Sequence, residues 1–226
     1  MKSFSLDEYE QLIAESVILE QDRSSIKVIK TPDGRIVKFF RLKRLLSSAR
    51  FKSYAARFVD HAKALKKLGF NTVEIEDVYY CRAVKRSLVF YDPLPGQTLR
   101  EALASQDKPD DIMEMFIAFY AELHNQGVYF RSIHLSNVII SDNMDALGLI
   151  DIADMKIYSK SLSKEMRMRN FRHLTRYNQD RESIERFGVE RFMHIYFKLS
   201  QLPEIYEKDF LSGVQQLLSE GEKGVV

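Results

Sequence analysis

A short run of proline and glycine, PLPG at residues 93–96, separates two parts of the chain that carry different patterns. Before it, short runs of β-branched and aromatic residues predict strands. After it, apolar residues recur at three- and four-residue spacing, which predicts helices. Strands and helices segregated in this way are typical of an α+β fold. We therefore expect a bilobal chain, with residues 1–92 as a strand-rich lobe, 93–97 as the joint and 98–226 as a helix-rich lobe.

The first part is predicted to hold hairpins and one basic helix. The runs SVILE and SIKVIK precede the turn TPDG and the run RIVKFF, and the strand-like runs TVEIEDVYYC and RSLVFYDPL follow later. Between them, an apolar stripe at helical spacing predicts a helix that ends at Gly69, a residue suited to a helix C-cap. The stripe consists of Phe51, Tyr54, Phe58, Ala62, Leu65 and Leu68.

The second part is predicted to be helical around one small hairpin. The segments QTLREALAS and DDIMEMFIAFYAELHNQG have helical patterns, and Gly127 closes the second. The apolar runs NVII and LGLID surround SDNMDA, which predicts a hairpin. From about Ser161 the pattern is helical again. The apolar face predicted for the longer helix consists of Ile112, Met115, Phe116, Phe119 and Leu123.

Cysteine content and the N-terminal sequence indicate the compartment. Cys81 is the only cysteine, which excludes an internal disulfide framework and is typical of a reducing environment. The first residues carry acids where a signal peptide needs a basic and then an apolar region. No apolar run approaches the ~20 residues of a membrane span. We expect a cytoplasmic protein without a transmembrane segment, with peripheral attachment at the inner membrane as a variant of that location.

Positive charge is concentrated in two blocks. Residues 35–67 carry a net charge of +10, and residues 156–176 carry a net charge of +6. Such blocks are typical either of solvated helix faces or of surfaces that attract a polyanion such as phosphate, acidic lipid or nucleic acid. No basic motif interleaved with aromatic residues is present, so nucleic acid is not the expected partner.

Three polar residues interrupt otherwise apolar runs. Asn137 precedes one strand of the predicted hairpin and Asp151 follows the other, so both side chains are expected at one end of it. A carboxylate and a carboxamide oxygen suit Mg²⁺, which takes one or two carboxylates together with substrate phosphates. Lys38 lies inside the apolar run IVKFF and needs an anionic partner when buried. The alternatives are turn capping for the first two and an edge-strand lysine that reaches water for the third.

At these residues the sequence resembles the protein-kinase-like superfamily. GRIVKFF is similar to the strand with the nucleotide-binding lysine, and VFYDPLPGQTL to the joint between lobes. ELHNQGVYFRSIHLSNVII is similar to the helix and catalytic loop, and LIDIADM to the metal-binding turn. More narrowly, nearly the whole chain resembles the bacterial lipopolysaccharide core kinases that phosphorylate Kdo or heptose. The segments KRLLSSA, GVYFRSIHLSN and LIDIADM are most similar to an offshoot of that group, the toluene tolerance proteins.

The resemblance implies roles for several residues. Lys38 would contact the α- and β-phosphates of ATP, Asn137 would hold a magnesium ion, and Asp151 would hold the ion that bridges the β- and γ-phosphates. The base aspartate of the kinase catalytic loop lies five positions before this asparagine, where the present chain has Ser132. His134 is then either a structural histidine of the loop or a replacement for the missing base.

Two further features of kinases are absent from the sequence. The first glycine is Gly34, so no glycine-rich loop precedes it, and Ser24 and Ser25 are the residues expected to approach the phosphates. The helix glutamate that pairs with the strand lysine is also missing. Asp60 or His61 is the nearest candidate for that partner, and Asp60 belongs with the implied nucleotide-binding residues.

The second basic block falls where kinases place their activation and substrate-binding segment. Its spacing of arginines lets part of a helix present several guanidinium groups together, and such groups bind phosphate bidentately. A phosphorylated glycolipid core is the acceptor that the resemblance implies. The alternative is a solvated helix with its apolar residues turned inward. The predicted acceptor- or polyanion-binding residues are Arg167, Arg169, Arg172 and Arg176.

Three functions are compatible with these features. The first is an ATP- and Mg²⁺-dependent phosphotransferase that acts on a glycolipid core sugar or another small hydroxyl acceptor, with Ser132 or His134 facing the acceptor. The second is a pseudokinase that binds nucleotide or an anionic envelope component in regulation or stress tolerance. The third is a basic adaptor for a membrane surface or nucleic acid. Lys38, Asn137 and Asp151 favour the first two, and Ser132 favours the second over the first.

Overall fold

The structure, a computed structural model, describes residues 2–23, 25–41, 53–105 and 108–222. The chain forms two compact units. The first consists of Met1–Lys67 with Thr72–Leu94, and the second of Leu68–Asn71 with Pro95–Val226. A strand-rich first part followed by a helical second part confirms the predicted α+β fold class.

The first part of the chain is built around one sheet with a helix on each face. The sheet has the strand order β1-β6-β7-β4-β3-β2, in which only β1 and β6 are parallel and β4 lies in the interior. In chain order the elements are β1 (Lys2–Phe4), α1 (Leu6–Glu15), β2 (Val17–Asp22), β3 (Ser25–Lys30), β4 (Ile36–Arg41), α2 (Tyr54–Lys67), β5 (Asn71–Thr72), β6 (Glu74–Cys81) and β7 (Arg86–Asp92).

Alternation along β4 divides the core of this unit into two layers. Val37 and Phe39 belong to the layer under α1, where the ring of Tyr9 lies 5.7 Å from that of Phe39. Phe40 points to the other face, where its ring lies 5.6 Å from Phe58 of α2. Because successive strand residues point to opposite faces, two apolar layers form from one strand.

The second part is a helical unit around short strands. β10 pairs antiparallel with β11 and with β8, and β9 pairs antiparallel with β12. In chain order the elements are β8 (Gln97–Thr98), α3 (Leu99–Ser105), α4 (Pro109–Asn125), β9 (Val128–Phe130), β10 (Val138–Ile140), β11 (Leu147–Leu149), β12 (Met155–Ile157), α5 (Lys164–Leu174), α6 (Asn178–Phe187), α7 (Val189–Leu199) and α8 (Glu207–Glu222), with 3-10 turns at Leu135–Asn137 and Glu204–Tyr206.

An aromatic cluster forms the centre of the second unit. Phe171 of α5 lies 5.1 Å from Tyr120 of α4, 5.0 Å from Tyr196 of α7 and 5.7 Å from Phe210 of α8, measured between ring centroids. All four rings are fully buried. Edge-to-face contacts of this kind add to the apolar burial that joins the four helices.

Most predicted elements are present, with three differences. The hairpins predicted around the turns TPDG and SDNMDA are confirmed. In the second hairpin, Val138 pairs with Leu149. The buried face of α4 differs from the predicted one, because Met115 and Phe119 are only half-buried, whereas Met113, Ile117, Tyr120, Ala121 and His124 are buried. The elements β1 and α1 were not predicted, and neither was the pairing of β9 with β12. Phe51, at the start of the predicted basic helix, lies outside the described residues, as does Ser24.

Gly127 shows why a glycine follows α4. Its φ is +77°, and an added Cβ would lie 2.5 Å from the carbonyl oxygens of Tyr158 and Lys160. The chain turns here from α4 into β9 against the segment after β12. Among the described residues, no helix is long and apolar enough to cross a membrane.

Candidate functional site

The loop between β9 and β10 carries three of the predicted site residues, Ser132, His134 and Asn137. It is held by its own backbone, with Ile133 N–H donating to Phe130 O at 3.2 Å and Asn137 N–H donating to His134 O at 2.9 Å. These bonds fold the loop into a tight turn that ends in the 3-10 turn before β10. The loop's own backbone hydrogen bonds therefore define its shape.

The Asn137 amide is oriented by this loop. Its side chain is 7% exposed, and Nδ2 donates to the carbonyl oxygen of Ser132 at 2.8 Å. This bond assigns the NH₂ group to the loop and leaves Oδ1 as the atom suited to a cation. Turn closure and metal binding are thus compatible uses of one amide.

Asp151 lies at the same end of the hairpin as Asn137. The pairing of Val138 with Leu149 continues in a bond from Ile150 N–H to Asn137 O at 3.0 Å, one residue before Asp151. Asp151 has φ of +52°, in the left-handed region that favours glycine. Aspartate adopts this conformation more readily than most residues, and such backbone positions also occur at functional turns. The two residues therefore lie at the same end of the hairpin backbone, and the approach of the Asn137 amide to the Asp151 carboxylate stays a prediction.

Asp154, three residues further on, has a structural partner. Its Oδ1 accepts a hydrogen bond from Arg131 Nε at 3.0 Å, and its carbonyl oxygen accepts from Arg131 N–H at 3.0 Å. The carboxylate therefore fixes the start of the loop instead of joining Asn137 and Asp151.

The donor set at the hairpin end suits a Mg²⁺ ion that also binds phosphates and waters. It does not suit a metal ion held by protein side chains alone. Within the described ranges, no group of three or more His, Cys, Asp or Glu side chains is arranged to hold a metal ion. Mg²⁺ is usually held by one or two carboxylates, with substrate phosphates and waters completing the shell. Asp151 and the Oδ1 atom of Asn137 are the residues that would hold it here.

His134 is a neutral, half-buried imidazole. Burial lowers its pKa, Asp180 opposes this, and Arg100 lowers the pKa further. The ring contacts Tyr177 edge-on at 5.0 Å, and the buried Nδ1 has no hydrogen-bond partner among the described residues. Ser132, at the position of the kinase base, is half-buried, and its carbonyl oxygen holds Asn137.

Asp180, which the sequence did not indicate, anchors the loop from α6. Its carboxylate is 0% exposed; Oδ2 accepts from Leu135 N–H at 3.1 Å and Oδ1 accepts from Arg100 Nε at 2.8 Å. An acid in the first turn of a helix is common, so its position alone carried no signal. A buried charge of this kind needs its partners in place.

Lys38 and Asp60 belong to the first unit. Lys38 is half-buried on β4 between Val28 of β3 and Val89 of β7, so it is not an edge-strand lysine. Asp60 lies two residues after the buried Phe58, which places it roughly 200° around the axis of α2. Asp60 therefore lies on a different face of the helix from the buried residues. The pairing of Lys38 with Asp60 stays a prediction. So does the role of Ser25, whose Oγ accepts from Arg41 at 2.9 Å.

Arg167 is a buried structural residue and leaves the predicted arginine group. It is 0% exposed, and its guanidinium donates to four acceptors. Nε donates to Leu162 O at 2.9 Å and Nη1 to Tyr196 Oη at 3.1 Å. Nη2 donates to Asn125 Oδ1 at 3.1 Å and to Ser161 Oγ at 2.6 Å. These donors are therefore not offered to a polyanion.

Arg167 begins a chain of hydrogen bonds that runs to the loop. Tyr196 Oη lies 2.7 Å from His124 Nδ1, His124 Nε2 lies 2.9 Å from Asn170 Oδ1, and Asn170 Nδ2 donates to Phe130 O at 2.6 Å. Because the Asn170 amide is oriented by Phe130, His124 carries its hydrogen on Nε2 and accepts from Tyr196. Burial lowers the pKa of His124 to about 3. Each donor in this chain of hydrogen bonds thus points in the direction from Arg167 to Phe130.

Arg169, Arg172 and Arg176 are exposed. They remain from the predicted group of four, and Arg176 Nη2 lies 3.4 Å from His173 Nδ1. The inward-facing residues of α5 are Arg167, Asn170, Phe171 and Leu174. The helix therefore has both a buried side and a basic exposed side.

Comparison with known proteins supports the fold and nothing narrower. No protein-family model and no curated protein matches the sequence. Among the 1662 chains of solved structures that match is WbdD, in a co-crystal structure with the kinase inhibitor LY294002. The two chains are 14% identical with a TM-score of 0.50, and the match covers 90% of this chain and 44% of WbdD. This chain thus spans less than half the length of the WbdD chain. The present chain has a protein-kinase-like fold.

Proposed function

We propose that this chain binds a nucleoside triphosphate with Mg²⁺ and transfers its terminal phosphoryl group to a hydroxyl acceptor, a glycolipid core sugar or a similar small molecule. The observation that carries the proposal is the pair Asn137 and Asp151 at one end of a hairpin, with Asp151 in a left-handed conformation. The kinase-like fold supports it, since WbdD has been crystallised with a kinase inhibitor.

Each residue then has one task. Asn137 Oδ1 and the Asp151 carboxylate would hold a magnesium ion, which when bound would neutralise charge on the phosphates. The contact of Lys38 with the α- and β-phosphates stays a prediction from the sequence. His134 is neutral and accepts the proton of the acceptor hydroxyl, because Ser132 is a poor base at neutral pH. Exposed cations of the second basic block bind the acceptor.

A pseudokinase is the second candidate, and Ser132 favours it. A general base supplies roughly 10²–10⁴ in rate, so its loss slows phosphoryl transfer while leaving nucleotide binding intact. In that case the same Asn137 and Asp151 bind the nucleotide, and binding itself is the regulatory event.

The first experiment is a calorimetric titration of ATP with and without Mg²⁺. Asp151→Asn is the test variant, because asparagine tolerates the left-handed conformation and the change removes only the charge. Asp142→Asn, an exposed aspartate in the turn of the same hairpin, is the matched control. We expect Mg²⁺-dependent binding that is lost in Asp151→Asn and kept in Asp142→Asn. Equal binding by both variants would contradict the metal site.

A second experiment separates the two candidates. For a phosphotransferase, His134→Gln removes the proposed base and should lower the rate of labelled phosphate transfer about 10²-fold or more, and Ser132→Asp in that variant should restore part of it by returning a carboxylate to the position of the kinase base. The protein is a pseudokinase if it binds Mg-ATP but transfers no phosphate. This result must hold with serine or aspartate at position 132 and across a panel of phosphorylated saccharides.

A further inference from the structure

Two arginines lie directly opposite each other at one end of the first sheet. Arg41 is the last residue of β4 and Arg86 is the first residue of β7, and the two are paired in register. Strand alternation places both on the same face as Phe39 and Leu88, which is the face covered by α1. Lys38 lies three residues before Arg41 on β4 and therefore points to the opposite face. The arginine pair is thus separate from the side of the sheet that Lys38 faces.

The two guanidinium groups repel each other across the strand pair. Directly opposite residues of antiparallel strands have Cβ atoms about 5 Å apart, and like charges in such a pair destabilise a sheet. Burial lowers the pKa of Arg86, and the charge of Arg41 lowers it further. Tyr9 and Asp22 oppose this shift. Within the described ranges, the half-buried Arg86 side chain makes no hydrogen bond and no ion pair.

The carboxylates around this pair are engaged by another cation. Asp22 Oδ2 lies 3.9 Å from Lys27 Nζ, and Glu20 Oε1 lies 3.3 Å from the same ammonium group. With Arg41 and Arg86 included, three cations face two carboxylates at this end of the sheet. One positive charge is therefore left over, and Arg86 is the cation among them that has no hydrogen-bonding partner in the part of the chain that the structure describes.

A surface cavity of about 190 Å³ lies at the arginine pair. Arg41 and Arg86 line it together with the aromatic residues Phe39, Phe40 and Tyr54. An apolar cavity of about 150 Å³ is large enough to bind benzene, so this cavity has room for a single ring with a short substituent. It therefore joins aromatic walls to a guanidinium group whose charge is not neutralised.

We propose that this cavity binds a small aromatic carboxylate, with the carboxylate on Arg86 and the ring against the aromatic walls. A guanidinium fork pairs bidentately with a carboxylate. The single negative charge of a carboxylate matches the one positive charge that is left over, whereas a phosphate dianion exceeds it. Aromatic walls add apolar burial that a free inorganic anion does not use.

This site does not depend on the proposed phosphotransfer. All the residues that line the cavity belong to the first unit, whereas Asn137 and Asp151 belong to the second. Arg41 and Arg86 also face away from Lys38. The cavity is therefore a second ligand site of this chain, with its own chemistry.

The test is a ¹⁹F NMR titration of 4-fluorophenylacetate into the full chain, with 4-fluorophenylacetamide as the neutral control. We expect a saturable shift of the fluorine signal with the acid and none with the amide. Arg86→Gln should weaken binding of the acid about tenfold or more, since it removes a charged hydrogen-bonding partner. Arg82→Gln, at an exposed arginine in the turn between β6 and β7, is the matched control for total charge and should bind like the native chain.

Stability measurements separate a binding role of Arg86 from a structural one. Without ligand, Arg86→Gln should have a urea midpoint equal to or above that of the native chain, because it removes one of two opposed charges. Its affinity for the acid should nevertheless fall. In the native chain, a saturating concentration of the acid should raise the thermal unfolding temperature, as a ligand of the folded state does.

Several results would overturn the proposal. The absence of a saturable shift rejects the site, and equal binding of the amide makes it purely apolar. An equal loss of affinity in Arg82→Gln means non-specific attraction. A lower urea midpoint of Arg86→Gln assigns Arg86 a structural role. Tighter binding of 4-fluorophenyl phosphate assigns the cavity to phosphate esters, and displacement of the acid by excess ATP assigns it to the nucleotide.

The failure of this proposal is distinguishable from the failure of the proposed function. Binding of ATP without binding of the acid rejects only the carboxylate site. Binding of the acid without binding of ATP rejects only the phosphotransferase and the nucleotide-binding pseudokinase.

Discussion

Protonation of His124 is expected to destabilise the second unit in mild acid. Burial lowers the pKa of its imidazole to about 3, whereas an unfolded histidine titrates near 6.5. The unfolded state therefore binds the proton first, and stability falls as the pH drops below about 6.5 and continues to fall until about 3. One proton costs ~1.4 kcal/mol per pH unit, so this residue removes about 2 kcal/mol between pH 7 and pH 5.

The measurement is urea unfolding at pH 7, 6 and 5, followed by circular dichroism because the chain has no tryptophan. His124→Gln keeps a hydrogen-bonding amide but does not titrate, so effects of other groups cancel between the two profiles. The free energy of unfolding of the native chain should fall about 2 kcal/mol further than that of the variant. Parallel profiles would refute the reasoning, as would a His124 ring signal that titrates above pH 5.

Two further predictions concern stability. Arg167→Met leaves the acceptors of four hydrogen bonds unpaired and should cost about 3 kcal/mol or more, whereas Arg169→Met, exposed on the same helix, should stay within ~0.5 kcal/mol. Equal urea midpoints for the two variants would contradict the buried role. Gly127→Ala places a Cβ against two carbonyl oxygens and should cost about 3 kcal/mol or more, whereas Gly34→Ala, with φ of +93° and open space, should cost ~1–2 kcal/mol. Thermal unfolding of both variants measures the difference, and equal losses would reject the steric argument.

The hairpin with Asn137 and Asp151 was predictable because its determinants are local. Two apolar runs, a polar turn and the two-residue period of strands fix which ends meet. The fold class was predictable for the same reason, since strand and helix patterns separate at Pro93–Gly96. The left-handed conformation of Asp151 has no signature in a single sequence, because any turn aspartate is compatible with it.

Residues whose role depends on distant partners were not predictable. Arg167 has the spacing of an exposed arginine, but its acceptors come from segments as far away as Asn125 and Tyr196. Helix α1 was not predicted, and it buries no residue completely. A signal was nevertheless present there: Ser5 and Glu8 have the spacing of a capping box, and the structure contains both of its hydrogen bonds.

The bond between Asp180 and Leu135 has a consequence for the order of folding. The hairpin of β10 and β11 closes over a few residues and needs microseconds. The loop before it is completed by a carboxylate that lies 45 residues later in the chain, and that carboxylate is held by an arginine 80 residues earlier. Contacts at such separation form after local ones. We therefore expect the loop with Ser132 and His134 to take its final shape only when α6 has docked, so that chains stalled before that step have the hairpin but not the site.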